Sequence, residues 1–216
     1  MNNFPEITIN SSLINYKVIF KKDDNLQIWE PSGSFFLVDD FFKDKLTISE
    51  KENVFWIKAN EEAKSFLKLN EIFISLKKIG CNRESTITAI GGGVVQDIAT
   101  IVSSLYMRGL KWNYIPTTFL GMTDSCIGGK SSINVSQYKN LIGNFHPPTN
   151  IEILPSLIKT LPRTELLAGL AESAKICFCA GEISFEKYLK YSSPFITKNW
   201  SSKDLFKLIH HTLKIK

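Results

Sequence analysis

The chain has 216 residues, 44% of them hydrophobic, enough apolar side chains to fill the core of one large domain or of one domain and part of a second. Its 26 basic and 21 acidic residues leave a net charge of only +5, with Lys and Arg scattered and no aromatic-plus-basic ladder. That balance argues against a nucleic-acid partner and for a phosphorylated or carboxylated small molecule.

No apolar run approaches the roughly 20 residues of a membrane span, and no basic-then-apolar leader opens the chain. Cys81, Cys126, Cys177 and Cys179 show no Cys-x-x-Cys spacing, so free thiols and a cytoplasmic location are expected. Cys177-x-Cys179 reads as two small apolar fillers at a helix end, not as half a metal site.

In chain order, β-rich runs predict strands at Tyr16–Phe20, Ser34–Val38, Val54–Ile57 and Thr86–Ile90. Between the last two, Ala63, Phe66, Leu67, Phe73 and Leu76 recur near helical spacing and predict a helix over Glu61–Lys78. Strand–helix–strand with a glycine turn after the strand is the grammar of a parallel α/β sheet. A helix over Val95–Leu105 and short strands over Trp112–Ile115 and Ile151–Leu154 continue it. After Pro155 only helical patterns remain, at Thr164–Phe178, Ser184–Tyr191 and Ser202–Lys214, the last capped by Ser201 with Asp204. On Thr164–Phe178 the apolar stripe is Leu167, Leu170, Ala171, Ala174 and Phe178. The expectation is an α/β domain over residues 1–160, then the start of an all-helical domain over 161–216 that breaks off in mid-pattern.

From Gly91 to Phe145 the chain crowds glycines, paired threonines and isolated Asp and Lys into a stretch poor in ordinary helix and strand formers, which suggests a ligand surface of backbone and short polar groups. Gly91-Gly92-Gly93, between an apolar strand and a helix, suits a phosphate cradle, where bare backbone and a helix N-terminus meet an anion. The same glycines also suit a plain tight turn. Asp97, one turn into the helix, complements its dipole or accepts from a ligand hydroxyl. Thr117 and Thr118 either bond a nucleotide or cap the next turn. Asp124 and Lys130 bracket a Gly-Gly pair, and Lys139-Asn140 sets a basic group beside an amide; together they point to anion or hydroxyl recognition. Glu172 and Lys175, like Glu61 and Lys64, lie three apart on a helical pattern, which by spacing alone is a surface ion pair. His146, His210 and His211 make no His-x3-His pair.

Taken in order, Gly-Gly-Gly-x-x-x-Asp, Tyr-Met-Arg-Gly, Pro-Thr-Thr, Asp-Ser-x-x-Gly-Gly-Lys, Lys-Asn-x-Ile-Gly, Thr-Leu-Pro-Arg and Gly-Leu-Ala-Glu-x-x-Lys resemble the 3-dehydroquinate synthase family of sugar-phosphate cyclases over Ala59 to Phe178. The resemblance implies a Rossmann-like NAD-binding domain, a helical C-terminal domain and an active site between them. It places Glu61, Lys64 and Asp40 on the adenosine side of NAD. Gly92, Gly93, Val94 and Asp97 would cradle the pyrophosphate, and Thr117, Thr118, Lys130, Lys139 and Leu157 to Thr160 would line the rest. Asp124, Lys130, Asn140 and Lys175 would hold a small phosphorylated sugar acid. Arg108 would reach a neighbouring subunit's phosphate site, which implies a homodimer. Glu172 would bind a divalent metal, zinc in most of the family, and Lys216 would be a further substrate lysine.

The implied reaction is conversion of 3-deoxy-arabino-heptulosonate 7-phosphate to 3-dehydroquinate with loss of phosphate, a shikimate-pathway step toward aromatic amino acids. In it, NAD transiently oxidises a substrate alcohol, phosphate leaves, the hydride returns and an intramolecular aldol closes the ring. Gln96 and Asn60 depart from the family pattern, as does Asn144 to Pro148. The family's two metal-binding histidines, in a Gly-His-Thr-x-x-His-like helix, have no counterpart here. Catalytic zinc normally takes three protein ligands, so these 216 residues alone are expected to be inactive. The alternatives are another cyclase, of aminocyclitol or valiolone type, and a non-catalytic NAD-fold binding domain.

Overall fold

The strands that read as unbroken apolar runs form the centre of the sheet, where both faces are covered. A computed structural model describes residues 6–21, 27–28, 33–48 and 51–216. Its strands are β1 (Ile7–Ile9), β2 (Tyr16–Phe20), β3 (Gln27–Ile28), β4 (Ser34–Asp39), β5 (Thr47–Ile48), β6 (Val54–Ile57), β7 (Thr86–Gly91), β8 (Lys111–Pro116), β9 (Ile133–Val135), β10 (Tyr138–Ile142) and β11 (Asn150–Ile153). The helices are α1 (Phe66–Lys78), α2 (Gly93–Leu105), α3 (Pro155–Ile158), α4 (Arg163–Cys179), α5 (Glu182–Ile196) and α6 (Ser202–Ile215).

Seven strands pair in the order β1-β2-β11-β8-β7-β4-β6, all parallel except β1 against β2. Phe36, Leu37 and Val38 of β4, Ile87, Ala89 and Ile90 of β7, and Tyr114 and Ile115 of β8 are all fully buried. Such strands show no alternation because helices cover both faces of a parallel sheet. From β4 the chain moves outward to β6 at one edge. From β7 it moves through β8 to β11 on the other side, so the winding reverses between β4 and β7. Open α/β sheets take their ligands outside the carboxyl ends of the strands at such a reversal. The α/β expectation holds, with helices following the last strand.

Helices α4 to α6 share the core of the sheet. Phe119, just past β8, packs on Phe195 of α5 at 5.6 Å between ring centroids, and Phe206 of α6 meets Phe20 of β2 edge-on at 4.7 Å. Tyr188 Oη donates to the Leu170 carbonyl at 2.9 Å, tying α5 to α4. The expected capping box is present: the Ser201 hydroxyl accepts from the Asp204 amide, and the Asp204 carboxylate from the Ser201 amide. No helix among the described residues is long and apolar enough to cross a membrane.

Three expectations need correction. The helix expected over Glu61–Lys78 opens as a separate 3-10 turn, Glu61–Ala63, whose N-cap is Asn60, and α1 starts at Phe66. The stretch from Gly91 to Phe145 is richer in regular structure than its composition suggests, holding α2, β8, the β9–β10 hairpin and a π-turn at Gly121–Ser125. Every residue of β10 is exposed, so no burial pattern marks it. On α4 the buried face is Leu166, Gly169, Leu170, Ser173 and Cys177, whereas Leu167 and Phe178 face solvent. A Cβ on Gly169 would stand 2.6 Å from the Leu120 amide nitrogen. Close approach through small residues, not the bulkiest stripe, therefore sets how α4 packs.

Candidate functional site

Most residues singled out in the sequence follow the carboxyl end of a parallel strand. Asp40 follows β4, Glu61 and Lys64 follow β6, Gly92 to Asp97 follow β7, Thr117 to Lys130 follow β8, and Leu157 with Thr160 follow β11. The register sets these ends side by side, with Asp39 opposite Ile57, Val38 opposite Ile90 and Gly91 opposite Pro116.

The N-terminus of α2 is bare. Gly92 is its N-cap and no side chain caps it, so the first-turn amides face outward with the positive end of the helix dipole. Gly93 is exposed, and a Cβ added there would meet nothing within 4 Å. Gly93 opens onto a cavity of about 370 Å³ lined by Gln96, Asp97, Asp124, Ser125, Ile127, Lys130 and Lys216. The π-turn Gly121–Ser125 carries Asp124 into this cavity; such turns recur at functional sites. Buried Gln96 holds the turn with two bonds, donating to the Ser125 carbonyl at 2.6 Å and accepting from the Ser125 hydroxyl at 2.7 Å. Gln96 thus acts as a clamp between α2 and the turn.

Asp124 pairs with Lys216, whose Nζ lies 2.5 Å from Oδ1 and 2.6 Å from the Asp124 carbonyl. Lys130 lines the same cavity and remains exposed. The Gly128-Gly129 pair ahead of it is required by backbone. Gly129 sits at φ +59°, and a Cβ there would stand 2.7 Å from the Pro147 backbone. Cys126, beneath the turn, has its thiol pushed up to about 12 by burial, so it is a neutral filler.

A second cluster adjoins the cavity through Asp97. Lys64 is only 5% exposed, and its Nζ reaches Asp97 Oδ2 and Asn140 Oδ1, both at 2.8 Å, and Ser132 Oγ at 3.0 Å. Asp97 also accepts from the Ser132 amide at 3.1 Å and lies 2.9 Å from the Ser132 hydroxyl. The spacing-based pairing of Glu61 with Lys64 is therefore replaced. Lys64 turns inward to Asp97, and Glu61 accepts from Asn134 Nδ2 at 3.0 Å, which holds its carboxyl below the ordinary value.

The remaining residues are placed as follows. Thr117 is buried, and its amide donates to the Gly91 carbonyl; the Thr118 hydroxyl accepts from the Gly121 amide at 3.0 Å, so Thr118 caps the π-turn. Val94 lies in the first turn of α2, and Lys139 lines a separate groove with Glu61 and Asn134. Leu157 is buried and accepts from the Thr160 hydroxyl at 2.8 Å. Asp40 is exposed, whereas neighbouring Asp39 is half-buried, with its carboxyl raised by burial. Arg108 lies in the 3-10 turn Tyr106–Arg108 beyond the far end of α2, a helix about 20 Å long, and does not line the cavity. Glu172 and Lys175 pair with each other on α4 and do not line the cavity, although the charge of Asp124 adds to the upward shift of the Lys175 ammonium. Ser132 and Asn134 were not legible in the sequence, because single Ser and Asn residues carry no pattern.

A family model described as the N-terminal part of 3-dehydroquinate synthase matches residues 54–168, more than half of the chain. The chain belongs to the 3-dehydroquinate synthase family. A curated 3-dehydroquinate synthase from Dictyoglomus turgidum is 38% identical over 192 residues, covering 85% of this chain and 52% of that protein. One from Prochlorococcus marinus is 35% identical over 184 residues, covering 83% and 51%. The chain therefore spans about half the length of these relatives. Among solved structures, a 2-epi-5-epi-valiolone synthase from Streptomyces hygroscopicus, with NAD+ and Zn2+ bound, superposes with a TM-score of 0.75 at 21% identity, over 97% of this chain and 62% of that one. At that identity the likeness concerns the fold.

The residues present fit a dinucleotide. An uncapped helix N-terminus, an open glycine and an adjoining polar cavity are what a pyrophosphate needs. They do not fit a catalytic metal. Among the described residues no three His, Cys, Asp or Glu side chains cluster, and Glu172 is engaged by Lys175.

Proposed function

We propose that the protein binds NAD at the N-terminus of α2 and serves the synthesis of 3-dehydroquinate from 3-deoxy-arabino-heptulosonate 7-phosphate in the cytoplasm. The observation that carries this reading is the bare N-terminus of α2 at open Gly93, beside a cavity holding Asp124, Lys130 and Lys216. When bound, NAD supplies the hydride acceptor for transient oxidation of a substrate alcohol.

The amides of Gly93 and Val94 face the pyrophosphate, where the helix dipole favours negative charge. Lys64, Glu61, Asp40 and Lys139 sit toward the adenosine, and Thr117, Thr118, Leu157 and Thr160 shape the floor. Lys130 and Lys216 present ammonium groups to the substrate's phosphate and carboxylate, making charge-assisted bonds that strengthen where water is excluded. Asp124 orients Lys216 and accepts from a substrate hydroxyl. Asn140, bonded to Lys64, and Lys175, which feels the charge of Asp124, support the substrate groups from outside the cavity lining, and Arg108 serves a second subunit of a homodimer. Residues 1–160 form the cofactor part and 161–216 the start of the helical part. Glu172 is the one carboxylate assigned to a metal, and one ligand does not make a catalytic site, so the 216 residues alone turn over no substrate.

The 38% and 35% identities to curated 3-dehydroquinate synthases favour this substrate over those of other cyclases, which share the fold at about half that identity. The test is a calorimetric titration with NAD alongside an assay of phosphate release from the heptulosonate phosphate. Saturable NAD binding without phosphate release is expected. Release by these 216 residues would overturn the metal argument, and absence of NAD binding would overturn the whole reading.

A further inference from the structure

Ser132, in the segment leading into β9, is the point where the residues of the candidate site meet. Its amide donates to Asp97 Oδ1 at 3.1 Å, and its hydroxyl lies 2.9 Å from Asp97 Oδ2 and 2.7 Å from Asn140 Oδ1. The same hydroxyl oxygen accepts from Lys64 Nζ at 3.0 Å. A hydroxyl has one proton, and since the Asn140 oxygen already accepts from Lys64, that proton goes to the charged Asp97 carboxylate. Lys64 has three, and Asp97, Asn140 and Ser132 account for all of them. No Lys64 proton is left over. Within this network, only Asp97 also lines the cavity with Gly93, Asp124, Lys130 and Lys216.

A lysine contact alone leaves a carboxylate free to rotate about its last bond. Two donors from adjacent atoms of one residue, one on each carboxylate oxygen, do not. We infer that Ser132 is a positioning residue, whose amide and hydroxyl grip the Asp97 carboxylate in the orientation a bound dinucleotide meets; the inference rests on the NAD reading above. Asp97 touches the ligand, and Ser132 acts through it.

The test is an equilibrium titration of NAD into the 216-residue protein, with thermal midpoints measured in parallel, for the wild type, Ser132→Ala, Ser132→Thr, Asp97→Asn and the Ser132→Ala/Asp97→Asn pair. Loss of one charge-assisted bond in Ser132→Ala is expected to weaken NAD binding about tenfold with little change in thermal midpoint. Ser132→Thr keeps the hydroxyl and is expected to restore affinity. On the Asp97→Asn background, Ser132→Ala is expected to add no further loss.

Undiminished affinity in Ser132→Ala overturns the inference, as does a loss that adds to that of Asp97→Asn. A fall in affinity that tracks a fall in thermal midpoint, with no rescue by threonine, also overturns it by making the role structural. A wild type that takes up no NAD overturns the NAD reading itself, and the inference with it; the other outcomes leave that reading standing.

Discussion

Lys64 is held below the surface by three acceptors, and its removal leaves the Asp97 carboxylate, itself mostly shielded, without a counter-charge. Breaking one side of a buried pair costs roughly 3–5 kcal/mol, and the donors that Asp97 keeps from Ser132 favour the low end. Lys64→Met is expected to lose about 3 kcal/mol in chemical denaturation, and Lys64→Met/Asp97→Leu to lose less, since no charge is then left unpaired. A double variant less stable than the single one would show that the pair is not the stabilising unit. This pairing was not legible in the sequence, because Lys64 and Asp97 lie 33 positions apart and local spacing offered Glu61 instead. Burial, a tertiary property, decided it.

At the scale of elements, α6 carries its own start signal. The Asp204 carboxyl is lowered from its ordinary value of 3.8, chiefly by its hydrogen bonds from Ser201. A group whose folded value is depressed stabilises the fold above its unfolded value and loses that contribution as pH falls through the folded one. Wild type is therefore expected to exceed Asp204→Asn in thermal midpoint above about pH 5, with the gap closing toward pH 3. A gap that persists in acid would mean that Asp204 acts through something other than its charge. This cap, the strands β4, β6, β7 and β8 and the helices α2 and α4 to α6 were readable because each rests on local chemistry: a Ser–Asp pair, an apolar run, a helical repeat. The β9–β10 hairpin was not, since exposed Tyr138 to Ile142 have no buried face to set a period. The buried face of α4 was misread for the complementary reason. Gly169, Ser173 and Cys177 look like poor core residues, yet all three are buried, and Gly169 lets the helix approach Phe119 and Leu120 closely.

At the scale of the molecule, the parallel sheet gathers strand ends that are far apart in the chain into one crevice, and that crevice is where the glycine-rich motifs meet. Order of motifs along the chain was enough to point to the family. Which motif residues touch which, including the Gln96 clamp and the inward turn of Lys64, depended on the packing of α2 against the segments that follow β6 and β8. The central claim is that the N-terminus of α2 seats a dinucleotide, and Gly93 offers the most direct test. A Cβ there meets no protein atom within 4 Å and has no left-handed backbone to strain, and the position opens onto the cavity, so Gly93→Leu is expected to fold with an unchanged thermal midpoint. The added leucine would nonetheless stand where the proposed pyrophosphate would lie, in front of the α2 amides. Titration of NAD into wild type and Gly93→Leu is expected to give saturable binding in the first and none in the second. Equal binding by the two proteins would contradict the account.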